Sequence, residues 1–187
     1  TTTDKTTLIG TQFEAGKDVS LSAGSLDYQA ARDTHTSSSG SKAAEGEVKA
    51  KLVGSAGAEL SGSYDQSSSS SASSTARAGG ITAGGNVTVR TQGDARFEGT
   101  DISAGEKAKV ESVAGNVVFD AAKSTSFEQS SGFNVSAKLG TSSKSGEKSS
   151  EGALGGGYSS SSASSTTSKA ATIKGRDVEV SAGRDVT

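Results

Sequence analysis

The chain has 187 residues, of which only 30% are hydrophobic and 4% aromatic, with 25 Gly and no Pro, Cys, Met or Trp; 19 basic and 21 acidic residues leave a formal net charge of -2. So few large side chains exclude a globule with a thick core, and leave either disorder or a fold built on short apolar side chains and many backbone hydrogen bonds. The near-neutral balance excludes a global field for nucleic acid or an anionic membrane, no apolar run is long enough to span a bilayer, and the absence of cysteine excludes disulfide staples and thiol chemistry.

In chain order, the start TTTDKTTLIG lacks the basic and apolar regions of a signal peptide, and without an initiator Met the chain reads as a fragment or a processed product. Residues 8–36 follow with period-two pairs, Val19/Leu21 and Leu26/Tyr28, each of which falls on one face of a strand. Residues 37–77 are rich in Ser and Gly but contain the alternating patches Val48–Leu52 and Ala58–Tyr64 before the serine run Ser67–Ser71. The strand-like texture returns over 78–129 with Val87/Val89 and Val117/Phe119. A second Ser/Gly-rich stretch, 130–170, carries Phe133–Leu139, Ala153–Tyr158 and the run Ser159–Ser162; 171–187 closes with Val178/Val180. Each Ser/Gly-rich stretch fits either a β-hairpin excursion or a disordered tether, since neither patch buries much alone. As hairpins, their connections would lie at Gly54–Gly57 and at the longer Gly140–Gly152. The best helix candidate, Gly40–Lys51, has helix-favouring residues but no apolar stripe.

The sequence repeats at two scales. Ile81–Val89 lies over Ile102–Val110 at a shift of 21 residues with every small or apolar position kept, which is the size of one coil of a β-solenoid. Gly24–Thr34 resembles Gly115–Thr125, and Gly84–Val89 resembles Gly175–Val180, both at a shift of 91. These shifts predict a single all-β solenoid fragment over 1–187, with long units at about 8–96 and 97–187 and excursions at about 37–77 and 130–170.

No set of residues announces chemistry. The single histidine, His35, has no evident partners and reads as a surface turn residue. The acids Asp18, Asp27, Asp33, Glu59, Asp94, Asp120, Asp177 and Asp185 are scattered, without the close pairing that polysaccharide cleavage uses. The Gly84-Gly-Asn-Val turn lacks the Gly-Lys-Ser/Thr of a phosphate loop, so its glycines read as turn residues. Asn86 and Asn134 open glycosylation sequons of a kind that is cheap in a Ser/Thr-rich chain, and Thr88 and Thr91 are spaced wrongly for an ice- or glycan-binding ladder. No catalytic residue, cofactor or metal ligand is expected, and basic residues are not interleaved with aromatics as in nucleic-acid binders.

Ala15-Gly-Lys-Asp-Val-Ser-Leu21, Ala83-Gly-Gly-Asn-Val-Thr-Val89 and Ser181-Ala-Gly-Arg-Asp-Val-Thr187 resemble the haemagglutinin repeats of large bacterial two-partner-secreted proteins, the filamentous haemagglutinin-like adhesins and the contact-dependent growth inhibition effectors. The resemblance implies a right-handed parallel β-helix in a secreted cell-surface filament. It implies export through an outer-membrane β-barrel transporter, contact with a target-cell surface or outer membrane, and a non-enzymatic role in adhesion or in delivery of a C-terminal toxin. The competing expectation is a glycan-binding or polysaccharide-processing solenoid using Tyr28, Tyr64 and Tyr158. Alternation in the excursions also allows amphipathic hairpins at a membrane, with Lys49 and Lys51 on the wet side.

Overall fold

The computed structural model describes residues 4–51 and 56–187, and among them every regular element is a strand. Four short strands come first: β1 (Lys5–Ile9), β2 (Gln12–Ala15), β3 (Val19–Ala23) and β4 (Ser25–Gln29). Two long ones follow, β5 (Ala31–Lys51) and β6 (Ala56–Arg77). Six short strands are next: β7 (Gly80–Ala83), β8 (Val87–Thr91), β9 (Ala95–Glu98), β10 (Asp101–Ala104), β11 (Lys107–Ser112) and β12 (Val117–Asp120). Then come the long β13 (Ala122–Lys144) and β14 (Glu147–Lys169), and the short β15 (Thr172–Lys174) and β16 (Asp177–Ala182). The chain divides into two compact units, one of residues 4–34, 73–125 and 165–187, the other of 35–72 and 126–164.

The first unit is a β-solenoid. Its short strands form three sheets of parallel strands, in the orders β1-β4-β9-β12, β2-β7-β10-β15 and β3-β8-β11-β16. Ile81 pairs with Ile102 and Val89 with Val110, so the 21-residue shift seen in the sequence is the step from one coil to the next. Elsewhere one step spans an inserted segment: Val19 pairs with Val87, and Val110 with Val180. Leu26 pairs with Ala95 and Ala95 with Val117, so two residues 91 apart lie two coils apart, one step short and one long.

Stacking like on like makes the core. Phe13, Ile81, Ile102 and Ile173 form one ladder, and Leu21, Val89, Val110 and Val180 another. Tyr28, Phe97 and Phe119 make the third, with Phe97 and Phe119 stacked at 5.3 Å between ring centroids. Ile81, Val87, Val89, Phe97, Val110 and Val117 are fully buried, each worth about 1.5–3 kcal/mol of apolar transfer. A narrow core of short side chains therefore suffices, because each inner coil is covered by its neighbours on both sides. Val178 departs from the expected inward pairing and is 51% exposed: β16 is the edge of its sheet, and only Val180 of the pair packs against the core.

The second unit is a four-stranded sheet in the order β5-β6-β13-β14. Its strands are antiparallel, since partner numbers fall as residue numbers rise: Ser39 bonds Ser69 while Ser41 bonds Ser67, and Ser130 bonds Ser161 while Ser142 bonds Ser149. The stretch Gly40–Lys51 is strand and not helix; the interior Gly46 weakens a helix, and ladder bonding to β6 satisfies the backbone instead. The expected long connection at Gly140–Gly152 is a two-residue turn at Ser145–Gly146, with φ of 51° and 87°. Positive φ at both positions matches the right-handed twist of a hairpin, so the flanking residues continue the strands. Most of the other expected connection, Gly54–Gly57, lies outside the described residues.

Candidate functional site

The motif Ala-Gly-x-Asp/Asn-Val acts between coils. Asp18 Oδ1 accepts from the Asn86 backbone N–H at 2.6 Å and its Nδ2 at 3.0 Å, and Asn86 Oδ1 accepts from the Lys107 N–H at 3.2 Å. A second ladder repeats this: Asp94 Oδ1 accepts from the Asn116 N–H at 2.8 Å, and Asn116 Oδ1 from the Asp185 N–H at 3.1 Å. Each short polar side chain closes the turn of the coil above. The glycine before it does occupy a turn, but at Gly84 and Gly105 close approach is what requires it. A Cβ on Gly105 would collide with the Gly84 carbonyl, and one on Gly84 with that of Gly16. Left-handed backbone occurs instead at Gly10, Gly99 and Gly146.

Four more of the scattered acids, Asp27, Asp33, Glu59 and Asp120, serve structural pairs. Asp27 accepts from Gln29 at 2.8 Å and meets Lys5 at 3.1 Å; burial pushes its carboxyl up, but these bonds and the charges of Lys5 and Arg96 outweigh that and hold it below the usual range. Asp33 pairs with Arg77, Asp120 with Arg96 at 2.6 Å, and Glu59 with Lys138 at 3.1 Å. Lys109 bridges Glu111 and Glu179 at 3.4 and 3.2 Å, on the outer side of β11 and β16. His35 is exposed, in strand β5 rather than in a turn. Among the described residues no three acidic or histidine side chains converge as a metal site would need. Tyr28 is fully buried, its hydroxyl donating to the carbonyls of Thr11 at 2.5 Å and Gly80 at 3.1 Å, so it is closed to a glycan.

The accessible chemistry lies on the ribbon of the second unit. Its register follows from Ser41 opposite Ser67, Ser68 opposite Ser131 and Ser142 opposite Ser149. Carried along the strands, that register sets Val48, Leu60 and Leu139 in one row, with Gly152 completing it. Leu154 stands in the next row with Gly46, Gly62 and Ala137; Tyr64 and Val135 follow with Ala44 and Gly156, then Phe133 and Tyr158 with Lys42 and Gln66. Every large apolar side chain described in this unit, including the more distant Phe127, is on this one face, and all are exposed. The opposite face carries the serine pairs Ser39–Ser69, Ser41–Ser67, Ser130–Ser161 and Ser142–Ser149 and Glu45, Glu47, Lys49, Glu59, Asp65 and Lys138. The apolar alternation was visible in the sequence, but joining four strands into one face needed the position of the Ser145–Gly146 turn.

A ladder-built solenoid with the repeated Ala-Gly-x-Asp/Asn-Val turn narrows the comparison to repeat proteins. The family model described as "Hemagglutinin repeat" matches residues 1–119 and 60–187, which together cover the whole chain. The chain belongs to the hemagglutinin-repeat family. This hemagglutinin-repeat chain is also 30% identical over 184 residues to a protein of Serratia marcescens named "Hemolysin". The match takes in 95% of the hemagglutinin-repeat chain and 11% of that relative, so the chain spans about a tenth of the relative's length.

Proposed function

We propose that this chain is a non-enzymatic structural segment of a secreted bacterial surface filament, and that it serves the delivery of a C-terminal toxin to a target cell. The observation that carries the proposal is how the solenoid uses its side chains: apolar ladders inside, Asp/Asn ladders at the turns and ion pairs outside all join coil to coil. Such a stack adds length without needing a partner chain, and each finished coil templates the next. A chain with 0 Cys also needs no oxidation step to fold after crossing an outer membrane through a β-barrel transporter, the export route that goes with the family. In this reading the serine-rich ribbon, with its exposed apolar face, meets the target-cell surface. The name of the Serratia relative, that of a cell-lysing protein, favours delivery over adhesion alone.

The test is deletion of residues 37–77 and 130–170 from the full-length protein in its producing bacterium. Surface display and cell-to-cell adherence should persist while contact-dependent killing of target cells is lost. Loss of adherence with killing per attached cell unchanged would assign the ribbon to adhesion instead.

A further inference from the structure

Among the described residues, every large apolar side chain on the apolar face of the ribbon is exposed. Leu154 is 88% exposed, Val48 74% and Tyr158 73%, a concentration of apolar surface that soluble monomers rarely leave bare. We propose that this face packs against the same face of a second copy of the chain, so that two ribbons form a β-sandwich.

Three features select a second copy over lipid. The continuous apolar rows run from Phe133 to Leu139 on β13, which at about 3.3 Å per residue is roughly 20 Å, short of the ~30 Å hydrocarbon core of a bilayer. Beyond Phe133 the next row of the same face is Ser68, Ser131 and Ser160, whose polar groups separate the apolar rows from Phe127 and are costly to place in hydrocarbon. The face is also not smooth: its large side chains alternate with Gly46, Gly62, Gly152 and Gly156, which leave holes that packed sheets ~10 Å apart fill by interdigitation.

The holes match the knobs under a twofold axis. An axis parallel to the strands, lying between the central strands β6 and β13, exchanges β5 with β14 across the interface. Val48 of one copy then faces Gly152 of the other, Leu154 faces Gly46, and Leu60 faces Leu139. Lys42, one of two charged residues on this face among those described (the other is Lys148 near the turn), lies over the ring of Tyr158, where an ammonium is attracted. Isologous contact of this kind is self-complementary by construction. Four strands ~4.8 Å apart over these rows and the adjoining Ala50–Ala58 row cover roughly 500–600 Å² per copy; about 1,000–1,200 Å² together reaches the size of a specific, modest interface.

The test is sedimentation of the purified 187-residue chain at concentrations on the order of 10–100 μM, where an interface of this size should associate. The expected mass is twice the 18.4 kDa of one chain. Leu60→Asp and Leu154→Asp should give monomers with an unchanged β circular dichroism spectrum, while Ser63→Asp, on the other face, should remain dimeric. Since the chain has no cysteine, mixing Leu60→Cys with Leu139→Cys and adding a short bismaleimide that spans the ~10 Å between packed sheets should yield a cross-linked heterodimer, a readout that does not depend on a disruptive variant. A monomer at every concentration overturns the proposal. So does a monomer that floats with vesicles of phosphatidylcholine and phosphatidylglycerol, because the face then takes lipid.

Discussion

Asp18 and Asn86 are 68 residues apart in sequence, yet one carboxylate oxygen of Asp18 receives both the backbone N–H and the side-chain amide of Asn86. Asn86 passes the arrangement on by accepting from the Lys107 N–H. One side chain thus ties three successive coils. Asn86→Ala should lower stability by about 1 kcal/mol, the net cost of removing hydrogen bonds to exposed partners. Asn86→Asp should retain the acceptor for Lys107 but set a second carboxylate beside Asp18, giving a loss that grows as salt is withdrawn. Urea denaturation at two ionic strengths measures both.

Three stacked glycines should respond unequally to the same substitution. A Cβ on Gly84 or Gly105 meets a carbonyl of the coil beneath, whereas a Cβ on Gly16 meets nothing within 4 Å. Gly84→Ala and Gly105→Ala should each cost about 2–4 kcal/mol through backbone displacement. Gly16→Ala should change stability by less than about 1 kcal/mol, since loss of unfolded-chain entropy is its main effect. Equal losses at the three sites, measured by thermal melting, would refute close approach as the reason for these glycines.

Burial pushes the Tyr28 hydroxyl up to about 12. Its folded value is therefore above the unfolded one of about 10. The unfolded chain ionises first, so this stability is present below pH 10 and is lost as pH rises toward 12, by up to about 2–3 kcal/mol. Tyr28→Phe should be less stable at pH 8 by about 1–2 kcal/mol, from the lost bonds to Thr11 and Gly80, and should show a shallower decline above pH 10. Comparing the two proteins removes the contribution of Lys109, held up by its bonds to Glu179 and Glu111, which also loses its charge at high pH.

Val87 and Val178 hold equivalent places in the 91-residue repeat and both pair with Ala108, but they differ in burial. Val87 is fully buried between β3 and β11, and Val178 is 51% exposed on the edge strand β16. Val87→Ala should cost about 2–3 kcal/mol and Val178→Ala under about 1 kcal/mol. Chemical denaturation of the two variants checks the difference.

The solenoid was legible because its register is written as repetition: Ile81 and Ile102, or Val89 and Val110, are the same kind of residue at the same place in successive coils. The 91-residue shift was equally visible, but its physical content was not. It is a next-nearest neighbour distance, one short coil plus one coil interrupted by long strands, and no residue type marks the difference. The ribbon was harder to read. Its alternation is diluted by Ser and Gly, its strands are held by serine pairs such as Ser39–Ser69 that any serine run could supply, and helix-favouring residues over Gly40–Lys51 pointed the wrong way. The segregation of its faces depends on a tight turn at Ser145–Gly146, where Ser takes a positive φ that its residue type does not announce.

The parallel stacking order is the central claim, and disulfide trapping tests it most directly in a chain without cysteine. Ser20 pairs with Thr88, which in turn pairs with Lys109, all on strands of one sheet. Neighbouring strands lie about 4.8 Å apart, within reach of a disulfide, and next-nearest strands about twice that, beyond it. Ser20→Cys with Thr88→Cys should therefore oxidise to an intramolecular disulfide, as should Thr88→Cys with Lys109→Cys, while Ser20→Cys with Lys109→Cys should not. Trapping of the Ser20–Lys109 pair in preference to Ser20–Thr88 would contradict the stacking order and the account built on it.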